Sequence, residues 1–180
     1  MNYANIFFDD TVNGIGFRTS LFVSGCSMNP PCKGCWSPQA RQFNYGITFT
    51  EGAKNSIIAS LKKPYVKGLS ILGGEPMDNL RDGTLFDLVK TIRRMFPQKT
   101  IFCWSGYTFE ELIKDPITLG FLQYIDMLRD GEYIENLKDI TQYLSGSKNQ
   151  RIIAARESLK QNKIIVYNAL DDEGRNNRLT

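Results

Sequence analysis

Histidine is absent from all 180 residues of the chain. That single absence removes imidazole general-base catalysis, Ser-His-Asp triads and histidine-ligated metal sites. Long apolar runs are missing too. Those at residues 21–23 and 164–167 fall far short of the roughly 20 residues that a membrane-spanning helix needs. The opening Met1-Asn2-Tyr3-Ala4-Asn5-Ile6 has neither a basic region nor an apolar stretch, so no secretory signal and a cytoplasmic location are expected. No sign of charge dominates. The 22 basic and 19 acidic residues leave a net charge of +3, and their interleaving argues against both nucleic-acid and membrane partners. Lys62-Lys63 and Arg93-Arg94 read as solvated helix faces. Repeats, low-complexity segments and interdomain linkers are also lacking. The length therefore predicts one domain, over residues 1–170, followed by a loose tail at 171–180.

What is present has an α/β rhythm. Short apolar runs at residues 21–23, 69–72, 100–104, 125–128 and 164–167 read as strands. Helical spacing fills the gaps at 50–61, 85–96 and 149–160, and Pro97 ends the second of these. Such alternation predicts an α/β fold with a parallel sheet and right-handed crossovers. The chain is too short for a closed barrel of about 250 residues, so an open, partial β/α barrel of roughly six parallel strands is expected. Asn13-Gly14 reads as a tight turn before the first strand. Several apolar runs lead directly into Ser24-Gly25-Cys26, Gly73-Gly74-Glu75-Pro76, Ser105-Gly106-Tyr107 and Asp130-Gly131-Glu132-Tyr133. Carboxyl ends of parallel strands share one rim, so these motifs should converge there.

Cysteine supplies the chemistry. Three of the four cysteines, Cys26, Cys32 and Cys35, lie within ten residues as C-x5-C-x2-C. In a reducing compartment such clustering points to a metal or redox site. Thiolates select zinc, copper(I) or iron–sulfur clusters. A structural zinc site needs a fourth ligand, and Cys103 sits in an apolar run that suits a small buried hydrophobe. Three thiolates can instead hold a 4Fe–4S cube with one iron left open to chelate an amine and a carboxylate. The spacing favours iron–sulfur over zinc and leaves zinc open.

Cys26…Cys32-Lys33-Gly34-Cys35 followed by Gly73-Gly74-Glu75-Pro76 resembles the radical S-adenosylmethionine (SAM) superfamily. The ordered set of further motifs makes the resemblance closest to the activating proteins of anaerobic ribonucleoside-triphosphate reductases. These motifs are Val12-Asn13-Gly14-Ile15-Gly16-Phe17-Arg18, Leu21-Phe22-Val23-Ser24-Gly25-Cys26, Trp104-Ser105-Gly106-Tyr107, Asp130-Gly131-Glu132-Tyr133 and Gly146-Ser147-Lys148-Asn149-Gln150-Arg151. One departure stands out. The usual spacing is C-x3-C-x2-C, and here Ser27-Met28-Asn29-Pro30-Pro31 lengthens the first gap by two residues.

The resemblance implies a 4Fe–4S cluster on Cys26, Cys32 and Cys35, with SAM as second cofactor. It implies reductive cleavage of SAM and removal of a hydrogen atom from a glycine of an anaerobic ribonucleoside-triphosphate reductase, fed by a low-potential electron donor such as a flavodoxin. Gly73, Gly74 and Glu75 would line the methionine end of SAM, where glycine permits close backbone approach and Glu75 either pairs with an ammonium or orients the loop. Gly34, Cys35 and Trp36 would line the adenosyl side, with Trp36 equally readable as a packing aromatic. Ser105 would meet the ribose or adenine. Arg18 and Arg151 read as surface ion pairs, or as groups holding a carboxylate or lining a partner groove. Two rivals remain: a small radical SAM enzyme acting on a small molecule, such as a queuosine-pathway-type synthase, and a non-enzymatic metal-stabilised interaction module.

Overall fold

A computed structural model describes residues 1–167. Seven strands form one sheet: β1 (Asn2–Asp10), β2 (Phe17–Val23), β3 (Ile47–Thr48), β4 (Val66–Gly73), β5 (Thr100–Trp104), β6 (Met127–Asp130) and β7 (Arg151–Ala154), in the order β3-β1-β2-β4-β5-β6-β7. Among the described residues five α-helices accompany them: α1 (Glu51–Leu61), α2 (Thr84–Met95), α3 (Phe109–Leu112), α4 (Pro116–Leu122) and α5 (Ala155–Gln161). The expected α/β class holds. The expected six parallel strands do not: only β2, β4, β5 and β6 run parallel, while β1, β3 and β7 pair antiparallel. Parallel neighbours need a crossover, and helices lie between β2 and β4, β4 and β5, and β5 and β6. The short turn at 11–16 makes β1 and β2 an antiparallel pair instead.

Side chains alternate cleanly across the sheet. Leu21, Val23, Leu69, Ile71, Ile101, Cys103, Leu128 and Ile153 face the helices and join Ile57, Leu61, Leu85, Leu88 and Ile92 in one dry core. Helix α2 supplies its stripe at positions 85, 88, 89 and 92 and stops at Phe96, ahead of Pro97. Thr50 caps α1 by accepting from the Ala53 N–H, and Thr108 with Glu111 forms a full capping box on α3. The opposite face is more polar. There Arg18 is fully buried, donating to Ser70 Oγ (2.6 Å), Thr100 Oγ1 (2.9 Å) and the Leu69 and Thr100 carbonyls, with its guanidinium 3.8 Å above the Phe102 ring.

Several readings of local structure change here. The span 149–160 is not one helix: Arg151–Ala154 is strand β7, and only Ala155–Gln161 is helical. Two adjacent β-branched residues, Ile152 and Ile153, suit a strand, and the open edge of β6 takes them. Residues 164–167 make an isolated bridge, Ile153 to Val166, in place of a full strand. The run at 125–128 enters the sheet only from Met127. Asn13-Gly14 does lie in a turn, but it follows the unforeseen β1, whose mixed composition lacks an apolar alternation. Arg18 is a core residue, against the surface expectation, because its guanidinium finds four acceptors on neighbouring strands. Arg93 is no solvated face either; it binds Asp126 (2.5 Å) and the Tyr124 carbonyl (2.8 Å), and Lys63 pairs with Asp9 at 2.9 Å. The tail expected at 171–180 lies outside the described residues.

Candidate functional site

The four parallel strands end at one rim, and their following loops are stitched together by hydrogen bonds. After β2 comes the cysteine loop; after β4, Gly74-Glu75-Pro76; after β5, Ser105-Gly106-Tyr107; after β6, Gly131-Glu132-Tyr133. Gly74 N donates to the Val23 carbonyl (2.8 Å) and Glu75 N to the Gly25 carbonyl (2.7 Å), fixing the second loop on the root of the first. Ser105 N donates to the Arg129 carbonyl at 2.9 Å. The convergence expected from sequence is what the fold delivers.

Glu75 is the hub. Its buried carboxylate accepts from Met77 N (3.0 Å), Ser105 Oγ (2.9 Å) and Gly106 N (2.7 Å). Burial pushes its pKa up to about 7 despite these donors. Both oxygens are thus engaged by the protein, which makes Glu75 the orienting member of the loop. Gly74 explains its own identity: a Cβ there would collide with the carbonyl oxygens of Gly25 and Ala40. Gly73 adopts φ +110°, a region open to glycine. Ser105 is buried on Glu75.

The cysteine loop itself is half open. Cys26, Cys32 and Cys35 are free and partly buried, whereas Cys103 is fully buried in β5. Cys35 N donates to the Cys32 carbonyl at 3.2 Å, closing the tight end of the motif. Burial pushes the Cys26 and Cys32 thiols up, and the Glu132 charge pushes Cys32 further. Three soft donors on one loop, all free and partly buried, are of the kind that an iron–sulfur cluster takes. Among the described residues no three His, Cys, Asp or Glu side chains gather tightly enough for a single metal ion; thiolates that each take a different iron stand further apart. Gly34 has φ +80° and lies against Tyr133 and Glu135, whose Oε2 would stand 2.6 Å from a Cβ there. Trp36 is 85% exposed and so is not buried in the core, and it does not line the cleft that opens along this rim.

Sequence reasoning missed three contributors. Asp78 accepts from Ser27 N (2.6 Å) and Tyr107 Oη (3.1 Å), tying the cysteine loop to the β5 loop. Asn79 donates to the Glu75 and Gly25 carbonyls (2.9 and 3.3 Å). Both lie just beyond Gly73-Gly74-Glu75-Pro76, separated from it by Met77, so proximity to that motif was the available signal. Arg129, the last residue before Asp130-Gly131, is the third. Gln150 locks the final motif: it accepts from Gly146 N and Ser147 N and donates to the Gly131 carbonyl. Arg151 forms a two-pronged pair with Glu110 and reaches the buried Asp130. A cleft of about 810 Å³ opens along this rim, lined by Ser27, Met28, Gly106, Tyr107, Glu132 and Arg151 among others, within the size range of small-molecule and cofactor sites.

A mixed α/β sheet carrying a three-thiol loop on its rim is the setting of a single-cluster iron–sulfur protein. The protein family described as "4Fe-4S single cluster domain" matches residues 12–153, across β2 to β7. Curated relatives are narrower still, each titled anaerobic ribonucleoside-triphosphate reductase-activating protein. That of Haemophilus influenzae is 38% identical over 154 residues, 84% of this chain and 97% of the relative. The Vibrio cholerae protein is 39% identical over 154 residues (84% and 97%), and that of Enterobacteria phage T4 36% over 152 residues (84% and 93%). The chain belongs to the family of anaerobic ribonucleoside-triphosphate reductase-activating proteins. No solved structure matches it. Among the described residues, no helix is long and apolar enough to cross a membrane.

Proposed function

We propose that this chain activates an anaerobic ribonucleoside-triphosphate reductase as a radical SAM enzyme, generating a radical on a glycine of that partner. The observation that carries the reading is the clamping of the Gly73–Pro76 loop onto the cysteine loop at the rim of the parallel strands, with Glu75 binding the β5 loop as well. The parallel strands would serve as the open partial barrel of that superfamily. Cys26, Cys32 and Cys35 would each ligate one iron. Bound together, a 4Fe–4S cluster and SAM supply one-electron cleavage of the sulfonium and hence a radical able to take a hydrogen atom.

The chain's own residues do the rest. Gly74 lets the β4 loop lie flush against Gly25, so the backbone beyond it reaches the cluster side without an intervening side chain. Glu75 holds Ser105 and Gly106 in place and so keeps rigid the loop that would meet the ribose. Asp78 and Tyr107 brace Ser27, so the loop with its two added residues is tethered at its start. A partner loop laid over the rim would exclude water from the cleft. The electron would come from a low-potential donor such as a flavodoxin.

The test is isotopic. The anaerobically reconstituted chain, reduced and given SAM and a reductase whose glycine carries deuterium at Cα, should yield methionine and deuterated 5′-deoxyadenosine, with a glycine-centred doublet in the partner's paramagnetic resonance spectrum. Cleavage of SAM with no deuterium transfer, while the partner is bound, would reject the glycine as substrate.

A further inference from the structure

Beside the rim cleft lies a second depression, of about 480 Å³, that the proposed chemistry leaves unused. Met77, Leu80 and Leu112 make its floor, each no more than 5% exposed, and Phe43 and Ile117 stand on its walls. The turn Pro76–Asn79 follows β4, while α3 and α4 follow β5, so the depression is built by loops of the same rim. Ser27, Tyr107 and Glu111 belong to both depressions and form the ridge between them. Asp78 fastens that ridge, accepting from Ser27 N (2.6 Å) and Tyr107 Oη (3.1 Å).

Two features define what fits there. Phe43 is 51% exposed and the Arg81 side chain 81% exposed, so the depression is a groove that covers its occupant on one side only. Small ligands are held by sites that bury most of their surface, whereas an open groove with an apolar floor suits the side chains of a protein segment. The second feature is charge. The chain carries +3 overall, yet the two depressions are lined by six carboxylates and only two guanidiniums. Within the groove Asp78, Glu111 and Asp115 stand against Arg81 alone. Such a surface repels acidic partners and steers basic ones in.

We propose that this groove is the docking site for a basic, amphipathic segment of the partner reductase, adjoining the part that lies over the cleft. This rests on the reading of a reductase as partner. Apolar side chains of the segment fill the floor of Met77, Leu80 and Leu112, and its lysine or arginine side chains meet Glu111 and Asp115. The shared ridge makes cleft and groove one continuous track, so a single partner surface occupies both. The groove then supplies affinity at a place that the radical chemistry does not constrain.

Anaerobic calorimetric titration of the reductase with the reconstituted full chain, at low and at physiological salt, tests this in three variants outside the cleft lining. Ile117→Gln puts an amide on the apolar wall and should weaken binding about tenfold. Asp115 caps α4 by accepting from Ile117 N. Asp115→Asn keeps that cap, since asparagine serves as well as aspartate, and should weaken binding about threefold, mostly at low salt. Arg81→Gln removes the groove's cation and should tighten binding by a similar factor, a gain that a damaged fold does not produce. Iron per chain and dithionite-driven SAM cleavage without partner should match wild type in all three. Should Ile117→Gln fail to fold, the opposed responses of the two charge variants decide. Affinities equal to wild type overturn the proposal. So does unchanged reductase affinity with slower reduction by a flavodoxin, which would give the groove to the electron donor, or with altered self-association in sedimentation, which would give it to a second copy of the chain. If wild type does not bind the reductase, the functional reading itself falls; if it binds and the groove variants are insensitive, only this inference does.

Discussion

Glu75 titrates at about 7 in the fold against 4.5 when free. Between those values the folded chain holds more protons than the unfolded one, so stability declines as pH rises from about 4.5 through 7, and the cost is complete above that. At full ionisation it is on the order of 3 kcal/mol. Glu75→Gln cannot ionise. Urea unfolding of the metal-free protein should therefore show the variant gaining on wild type between about pH 5 and pH 8, whatever its offset from rearranged hydrogen bonds; a pH-independent difference would refute the buried-carboxylate account. Cys103 offers the contrasting residue. Buried in β5, with a thiol pushed well up by burial, it has the character of a packing group. Cys103→Ala should retain the iron content of wild type and cost about 1–2 kcal/mol in packing. Serine at Cys26, Cys32 or Cys35 should instead abolish iron retention, measured per folded chain after anaerobic reconstitution.

At the scale of elements, the site belongs to loops held by strand ends. Gly74 is the contact on which two of them depend. A methyl group there meets backbone oxygens of Gly25 and Ala40, and backbone, unlike a long side chain, cannot swing aside. Gly74→Ala should thus disturb the cysteine loop along with the β4 loop. The expected result is lower iron content and lower stability together, read by iron analysis and thermal unfolding. A variant that kept its cluster and lost only SAM affinity would show that the two loops are less tightly coupled than their hydrogen bonds indicate. Thr108–Glu111 is organised locally: its capping box builds the start of α3 from its own residues, although Thr108, Glu110 and Glu111 also line the cleft, and the loop before it is placed by Glu75.

For the whole molecule, the decisive residue is far from the rim. Arg18 ties β2 to β4 and β5 through Ser70, Thr100 and two carbonyls. Arg18→Met would leave those acceptors and hydroxyls buried without their donor, a loss of about 3 kcal/mol or more. Its effect should be global: a lower denaturation midpoint in urea, with iron per folded chain unchanged because Arg18 touches none of the loops that carry the cysteines. Loss of iron in the folded fraction would reveal a coupling from the sheet's closed end to its rim.

The three clustered cysteines, the glycine-rich loop and the α/β rhythm were legible in the chain itself, because ligand spacing, glycine at a close approach and apolar periodicity are local properties. Helix α1 carries its cap, and α2 its apolar stripe and the proline beyond its end, within a dozen residues, and the structure returns both helices almost unchanged. Partnership across the chain was not local. Whether residues 151–154 became strand or helix depended on the free edge of β6, and the antiparallel course of β1 depended on a short turn rather than on its own composition. Glu75 was visible as a motif residue, yet its three donors, and the buried setting that raises its pKa, come from segments up to 31 residues away. Arg18 read as an ordinary surface ion pair until folding buried it among acceptors, and Arg129, which the sequence did not single out, ends with a buried Nε that has no partner. Desolvation is a property of the packed whole, and no window of sequence contains it.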